Sequence, residues 1–300
     1  MKQVLVALSI IICTSANAQD LIKTLSFNNS VYGVDISPDG SKVFVAGKDS
    51  VASVWNRNGK QLLELVGHNH SVSSISYNAD KNVILTGSYD NTALLWDFEG
   101  NETDTLATSN GAVLKVVAGK KAILTASRDG TAKIWKYNGD LVASLESHDM
   151  QVNSIIVIPN SKIIFTASDD KTIRTWTKKG LPIDSFSPHP SGVRAVAAST
   201  TSEIIITGHK DGSIALCNFE GGLIKVLQAH QAMVSQIKIL ENGEYFVTAG
   251  ADGMLKTWNL NGDLIKEIKA HDLYISDIAY ANGILVSGSG DNTVKIWKIQ

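Results

Sequence analysis

His68, Thr86 and Asp90 place an imidazole, a hydroxyl and a carboxylate within one short stretch of chain. Those groups could perform acyl transfer, with the hydroxyl attacking, the imidazole taking its proton and the carboxylate orienting the ring. The same types recur, with the histidine 20 or 22 residues before the aspartate, as His148, Thr166 and Asp170, as His189, Thr207 and Asp211, as His230, Thr248 and Asp252, and as His271, Ser287 and Asp291. Catalysis needs one such centre, so five copies point to a structural role. Metal chemistry is poorly supported too. His68 and His70 form a possible pair without a third ligand, and His209-Lys210-Asp211 is the neighbourhood of a repeated aspartate. Gly288 to Asn292 lacks the Lys-Ser/Thr of a phosphate-binding loop. The reading is therefore no catalytic residue, no metal and no cofactor.

The elements that must carry these residues follow from their period. Trp stands at 55, 96, 135, 176, 258 and 297, and Cys217 divides the one long gap into two steps of 41. Six residues before each of these positions is an aspartate: Asp49, Asp90, Asp129, Asp170, Asp211, Asp252 and Asp291. Four residues earlier stand Val45, Thr86, Thr125, Thr166, Thr207, Thr248 and Ser287, while Phe27 and Ser109 take the histidine place in units one and three. Gly59, Gly100, Gly139, Gly180, Gly221 and Gly262 mark a turn four residues after the Trp position, three of them as Asn-Gly. Unit two reads as Val72 to Tyr77, Val83 to Thr86, Thr92 to Trp96 and Thr103 to Leu106, four short strands with no helical period. One such unit cannot bury both faces of its sheet, so the units must stack.

On these residues the chain resembles the tryptophan-aspartate (WD) repeat family, across everything after residue 18. The spacing carries the resemblance, since Trp96-Asp97 and Gly67-His68 are the sole literal copies of the two signature dipeptides at their repeat positions. The resemblance implies an all-β fold, a seven-bladed β-propeller of four-stranded antiparallel blades. It also implies hydrogen-bonded tetrads: His68-Thr86-Asp90-Trp96, His148-Thr166-Asp170-Trp176, His230-Thr248-Asp252-Trp258 and His271-Ser287-Asp291-Trp297. Blade five, with Cys217 for Trp, and blade one, with Phe27 and Val45, depart from the pattern and are expected to be the loosest. Cys217 is expected to be buried and inert. Leu21 to Leu25 matches Lys60 to Leu65 of unit one, and the seventh unit stops three residues after Trp297, so the N-terminal strand should complete blade seven.

Met1-Lys2, the apolar run Val4 to Cys13 and the small-x-small site Ala16-Asn17-Ala18 have the layout of a secretory signal peptide. The expected organisation is a leader at 1–18 and one propeller at 19–300, exported to the periplasm or outside the cell, with Cys217 as the remaining thiol. Cleavage would leave no integral membrane segment, since ten apolar residues are about half a span. Asn28, Asn69 and Asn101 begin sequons that matter where the host glycosylates exports. The net charge of -2 offers no broad positive field, so nucleic acid is not an expected partner.

In WD-repeat proteins partners commonly dock on the face made by the loops from strand d to strand a and the turns from b to c. Carried over by spacing, that face holds Lys48, Arg128, Arg194 and Lys210, four cations against Asp169. Tyr32, Tyr89, Met233, Tyr274 and Leu114 lie in the same columns, an arginine and aromatic content typical of binding surfaces. The expected function is a non-catalytic interaction scaffold, a monomeric ring engaging a protein or peptide. The alternative is an enzyme or small-ligand binder using the central channel, which requires a non-repeated cluster of acids, histidines or metal ligands; the repeat columns show none.

Overall fold

The short β-branched runs of each repeat pair with their sequence neighbours, because the turns between them leave no room for a crossover. The computed structural model describes residues 21–299 apart from 108–109, 147, 159–162, 188 and 241–242. The leader expected at 1–18 and Ser109 lie outside the described residues. Seven four-stranded antiparallel sheets result, each ordered a-b-c-d. Among the described residues no helix is long and apolar enough to cross a membrane. The strands of blade two, Val72–Asn78, Val83–Ser88, Thr92–Trp96 and Glu102–Ala107, run one or two residues beyond several of the sequence-predicted limits, because ladder pairing continues to the edge of each turn.

Blade seven joins the two ends of the chain as the sequence predicts. Leu21–Ser26 pairs antiparallel with Thr293–Lys298, placing Leu21 opposite Trp297 and Leu25 opposite Val294. Seven apolar clusters fill the seven interfaces between neighbouring blades. In strand b of blade one, Val43 and Val45 pack against blade seven while Phe44 and Ala46 pack against blade two. Burial on both faces makes such strands continuous apolar runs instead of alternating ones.

The innermost strands are Val31–Ile36, Val72–Asn78, Val113–Ala118, Val152–Val157, Val193–Ser199, Val234–Ile239 and Ile275–Ala281. Strand a of each blade contacts strand a of the next, so together they surround a central channel. Each contains a bulge at one place. The a-b pairing skips Tyr32, Ser73, Leu114, Asn153, Arg194, Ser235 and Ser276 in blades one to seven. A bulge adds an unpaired residue and re-aims its side chain.

Leu25 is buried in the interface between blades seven and one, beside Val34, Val43, Val294 and Ile296. A chain beginning at Ser30 loses that side chain and the whole closing strand. Urea unfolding is expected to show a loss larger than the roughly 3 kcal/mol of a buried Leu→Ala change. An unchanged midpoint would show that the ring does not depend on this closure.

Candidate functional site

The repeated residues build the face before any variable residue decorates it. In blade two the Trp96 indole N–H donates to Thr86 Oγ1 at 2.8 Å, and His68 Nε2 lies 2.8 Å from the same hydroxyl. His68 Nδ1 lies 2.8 Å from Asp90 Oδ2. The carboxylate can only accept, so Nδ1 carries the proton and Nε2 accepts from the hydroxyl. Asp90 also accepts from the backbone N–H of Asn69, in the d-a loop, and from that of Thr92, where strand c leaves the b-c turn. The tetrad thus ties together the two loops that form the face. The other three tetrads close with His-hydroxyl distances of 2.8, 2.8 and 2.7 Å and indole-hydroxyl distances of 2.9, 3.0 and 2.9 Å.

His68, Thr86 and Asp90 therefore have the connectivity of a hydrolytic triad without its chemistry. Thr86, Thr166, Thr248 and Ser287 are wholly buried, and each hydroxyl already accepts an indole N–H. No substrate carbonyl can reach them. Burial holds the His68, His148 and His271 rings below their ordinary pKa, against the raising effect of their aspartates. For Asp90, burial pushes upward, and hydrogen bonds from Thr92, Asn69 and His68 outweigh it, so the carboxyl lies below its usual range.

Three blades depart from this arrangement. In blade one the Trp55 N–H turns to Ser53 Oγ at 2.8 Å, and Phe27 packs edge-on against the indole. In blade three Trp135 donates to Thr125 at 3.1 Å. Blade five brings in a residue that the sequence reading assigned only to a loop. His209 is wholly buried, 2.9 Å from Thr207 Oγ1 and 3.2 Å from His189 Nδ1, with Ser213 Oγ on its other nitrogen at 2.8 Å. In the other units this position is Gly or Ser, a contrast visible in the aligned repeats. Burial pushes both His189 and His209 down to about 4. Cys217 is a buried free thiol whose pKa burial raises, which disfavours the reactive thiolate.

The two columns of candidate contact residues meet in every blade. The backbone N–H of the residue before each turn aspartate donates to the carbonyl of the residue before strand a: Lys48 to Ser30, Tyr89 to Ser71, Arg128 to Ala112, Asp169 to Gln151, Lys210 to Gly192, Ala251 to Met233 and Gly290 to Tyr274. At the centre, all seven bulge residues line one cavity of about 330 Å³ at the channel mouth. Tyr89, Arg128, Gln151, Met233 and Tyr274 also line it. Lys48 and Lys210 stand on the face outside that lining.

Tyr32 and Tyr89 meet edge-on at 6.2 Å, and the Arg128 guanidinium lies over the Tyr89 ring at 5.3 Å. A Cβ at Gly290 would lie 2.4 Å from the Tyr274 ring, so glycine is what lets that ring cross the backbone. Asp169, counted from the sequence as a charge on the face, is buried and accepts from Lys210 at 2.6 Å, Gln151 at 2.8 Å and Asn153 at 2.8 Å. Met150 and Leu273, exposed on the d-a loops of blades four and seven, add apolar surface that the sequence columns missed by one residue.

The channel corrects one expectation. Asp277, Lys115 and Gln236 form a non-repeated cluster at the cavity floor, with Lys115 at 2.9 Å and Gln236 at 2.8 Å from the Asp277 carboxylate. Asp35 and Lys238 lie further along the same inner strands. Burial raises the Asp35 carboxyl against Lys238, which lowers it; burial lowers Lys238, with Lys115 acting in the same direction. These charges stand out in the inner-strand repeat positions, where Asp35, Lys115, Lys238 and Asp277 are not repeated from blade to blade. Their first task is structural. Asp277 accepts from the N–H of Val34 and Asp35 from that of Tyr77, each in the next blade, and Ser74 and Ser76 do the same for Val116 and Ala118. They satisfy backbone groups that an inner edge strand leaves unpaired. Among the described residues no three His, Cys, Asp or Glu side chains converge as metal ligands.

The family model described as WD domain, G-beta repeat (WD40) matches residues 19–56, 59–97, 139–177, 180–218, 221–259 and 262–298. Residues 98–138 fall between matches, yet they supply the last strand of blade two and the first three of blade three. The crystal structure of the WD40 beta propeller domain of Doa1 is similar with a TM-score of 0.85 and 28% identity, over 94% of this chain and 97% of that one. No curated protein matches the sequence.

Two outcomes follow from the buried networks. Thr86→Val keeps the volume but orphans an indole N–H and an imidazole nitrogen, so urea unfolding should show a loss of about 2 kcal/mol; a neutral change would remove the tetrad from the stability of blade two. His189 and His209 have folded pKa values of about 4, below the ordinary 6.5. Between those values the unfolded chain binds protons that the folded chain refuses, so stability falls as pH falls from 6.5 to 4. His209→Ser, which installs the residue found at this position in blades two, three, four and seven, should flatten that slope by up to about 1.4 kcal/mol per pH unit. An unchanged slope would show that His209 titrates normally.

Proposed function

The chain belongs to the WD40 repeat family, whose propeller domains generally serve as protein-interaction scaffolds, and on that premise we propose that it is an exported, non-catalytic module binding a protein or peptide at the channel mouth. The observation that carries this reading is the convergence of all seven bulge residues on one cavity rimmed by Tyr89, Arg128, Met233 and Tyr274. Exposed Met150, Leu273 and Tyr274 give the same face apolar surface that water solvates poorly. Aromatic and arginine side chains with apolar neighbours are the usual anchors of an interface. Export rests on the residue pattern of positions 1–18, and a monomeric ring on the closure of blade seven, which leaves no blade incomplete.

A channel-based activity would have to use Asp35, Lys115, Lys238 and Asp277. The carboxylates there already accept backbone N–H groups, and Asp277 is held by Lys115 and Gln236 as well. These bonds favour the scaffold reading over the catalytic one.

Affinity purification from the native envelope or medium, followed by mass spectrometry, tests the proposal. A partner retained by the wild type should be lost or weakened at least tenfold when Arg128 and Arg194 are both changed to alanine, on the scale of a charged hot-spot pair. The recovered protein should begin at Gln19. Undiminished partner binding would remove this face from the interaction.

A further inference from the structure

We propose that the channel mouth is a carboxylate receptor, in which Arg194 anchors an acidic group of the bound peptide and Arg128 assists from two blades away. The inference rests on the peptide-binding reading above and adds the chemistry of the group that enters. Its starting point is the ring of bulge residues, where Arg194 is the single charged side chain among Tyr32, Ser73, Leu114, Asn153, Ser235 and Ser276. The three serines and Asn153 have structural work. Ser73 donates to the carbonyls of Gly87 and Val113, Ser235 to that of Ala249, Ser276 to those of Val31 and Gly288, and Asn153 to that of Val193. Tyr32, Leu114 and Arg194 are the ring positions where the side chain has no such backbone bond among the described residues.

Arg194 has only a long, shared counter-ion, because Asp169 pairs more closely with Lys210. Its Nη1 donates to Asn153 Oδ1 at 2.7 Å, which fixes the guanidinium, whereas the nearest carboxylate oxygen, on Asp169, is 3.9 Å away. Asp169 is already committed to Lys210, Gln151 and Asn153. Two cations thus share one anion, and the excess charge belongs to the residue that lines the cavity. The Arg194 side chain is 27% exposed, and burial acts against its charged form. An arriving anion would compensate a cation that the fold has partly desolvated.

The rest of the lining favours the same occupant. Arg128 lies over Tyr89 and forms no ion pair among the described residues. The sole acid in the lining, Asp277, is held at the floor by Lys115 and Gln236. The lining therefore contains three cations, Lys115, Arg128 and Arg194, against one anion. Burial, with Tyr274 and Tyr89 nearby, keeps the Tyr32 phenol protonated above its ordinary range, so it remains a donor. A volume of about 330 Å³ is at the small-ligand end of binding cavities, suited to one side chain or a chain terminus. The planar guanidinium fork matches a carboxylate bidentately, which a lysine ammonium does not.

Selection of random octapeptides on beads by the purified protein tests this, using one library with amidated and one with free C-termini. The expected result is enrichment of Asp or Glu at one position in both libraries, or of any sequence bearing a free terminus if the chain-end carboxylate is the one recognised. The selected peptide should bind about tenfold more weakly to Arg194→Gln, more weakly to the exposed-site variant Arg128→Gln, and more weakly as salt rises. Arg128→Gln keeps the test decisive if Arg194→Gln fails to fold. Peptides selected without an acidic preference, or bound equally by the folded variants, would overturn the carboxylate receptor and leave the peptide-binding face intact. Retention of no peptide would overturn both.

Discussion

The Trp96 indole N–H sits in the dry interior of a blade, where its acceptor is the Thr86 hydroxyl. That hydroxyl needs His68, and His68 needs Asp90, which stands in a turn beside solvent. Three buried polar groups are satisfied only if the chain of bonds runs unbroken from core to surface. Asp90 then takes backbone N–H groups from the d-a loop and from where strand c leaves the b-c turn, so the interior requirement fixes the loops that other molecules can meet. Blades without the full set solve the same problem locally. Trp55 finds Ser53, and His209 fills in beside Thr207 where Cys217 offers no indole.

Chemical individuality enters through the inner strands. A seven-fold fold would repeat one environment seven times, but the bulge in each strand a turns one side chain per blade toward the common axis. That residue is free of ladder pairing, although Ser73, Asn153 and Ser276 bond a carbonyl of the next blade. Variation at the remaining bulges puts Tyr32 on one side of the mouth and Arg194 on another. The polar residues deeper in the channel are less free, because the inner strand has unpaired N–H groups that Asp35, Asp277, Ser74 and Ser76 satisfy.

Much of this was legible in the residue order. Seven aspartates at one offset from seven Trp or Cys positions gave the blade count, including the third unit, where residues 98–138 lie outside the family-model matches. The columns that line the channel mouth were legible too, since strand alternation places Tyr32 and Arg194 at equivalent sites. Misjudged features depended on contacts between units. Asp169 reads as an exposed charge until Lys210 and Asn153 are seen to close over it. His209 reads as a neighbour of the turn aspartate until it is seen to bond the Thr207 hydroxyl, the group an indole takes in the complete tetrads. The channel charges come from blades one, three, six and seven, far apart in the chain.

The sequence by itself determined the period, the four-strand unit, the closing strand and the tetrad partners, because each depends on residues within about one repeat or on a repeat compared with itself. Tertiary structure alone decided which charges remain free. Asp169 and Asp277 are held by partners from other blades, whereas Arg194, fixed by Asn153, shares Asp169 at 3.9 Å with the closer Lys210. Net charge at the mouth depends on distances across the ring. Those distances are set by how the blades pack, not by the order of residues within any one of them.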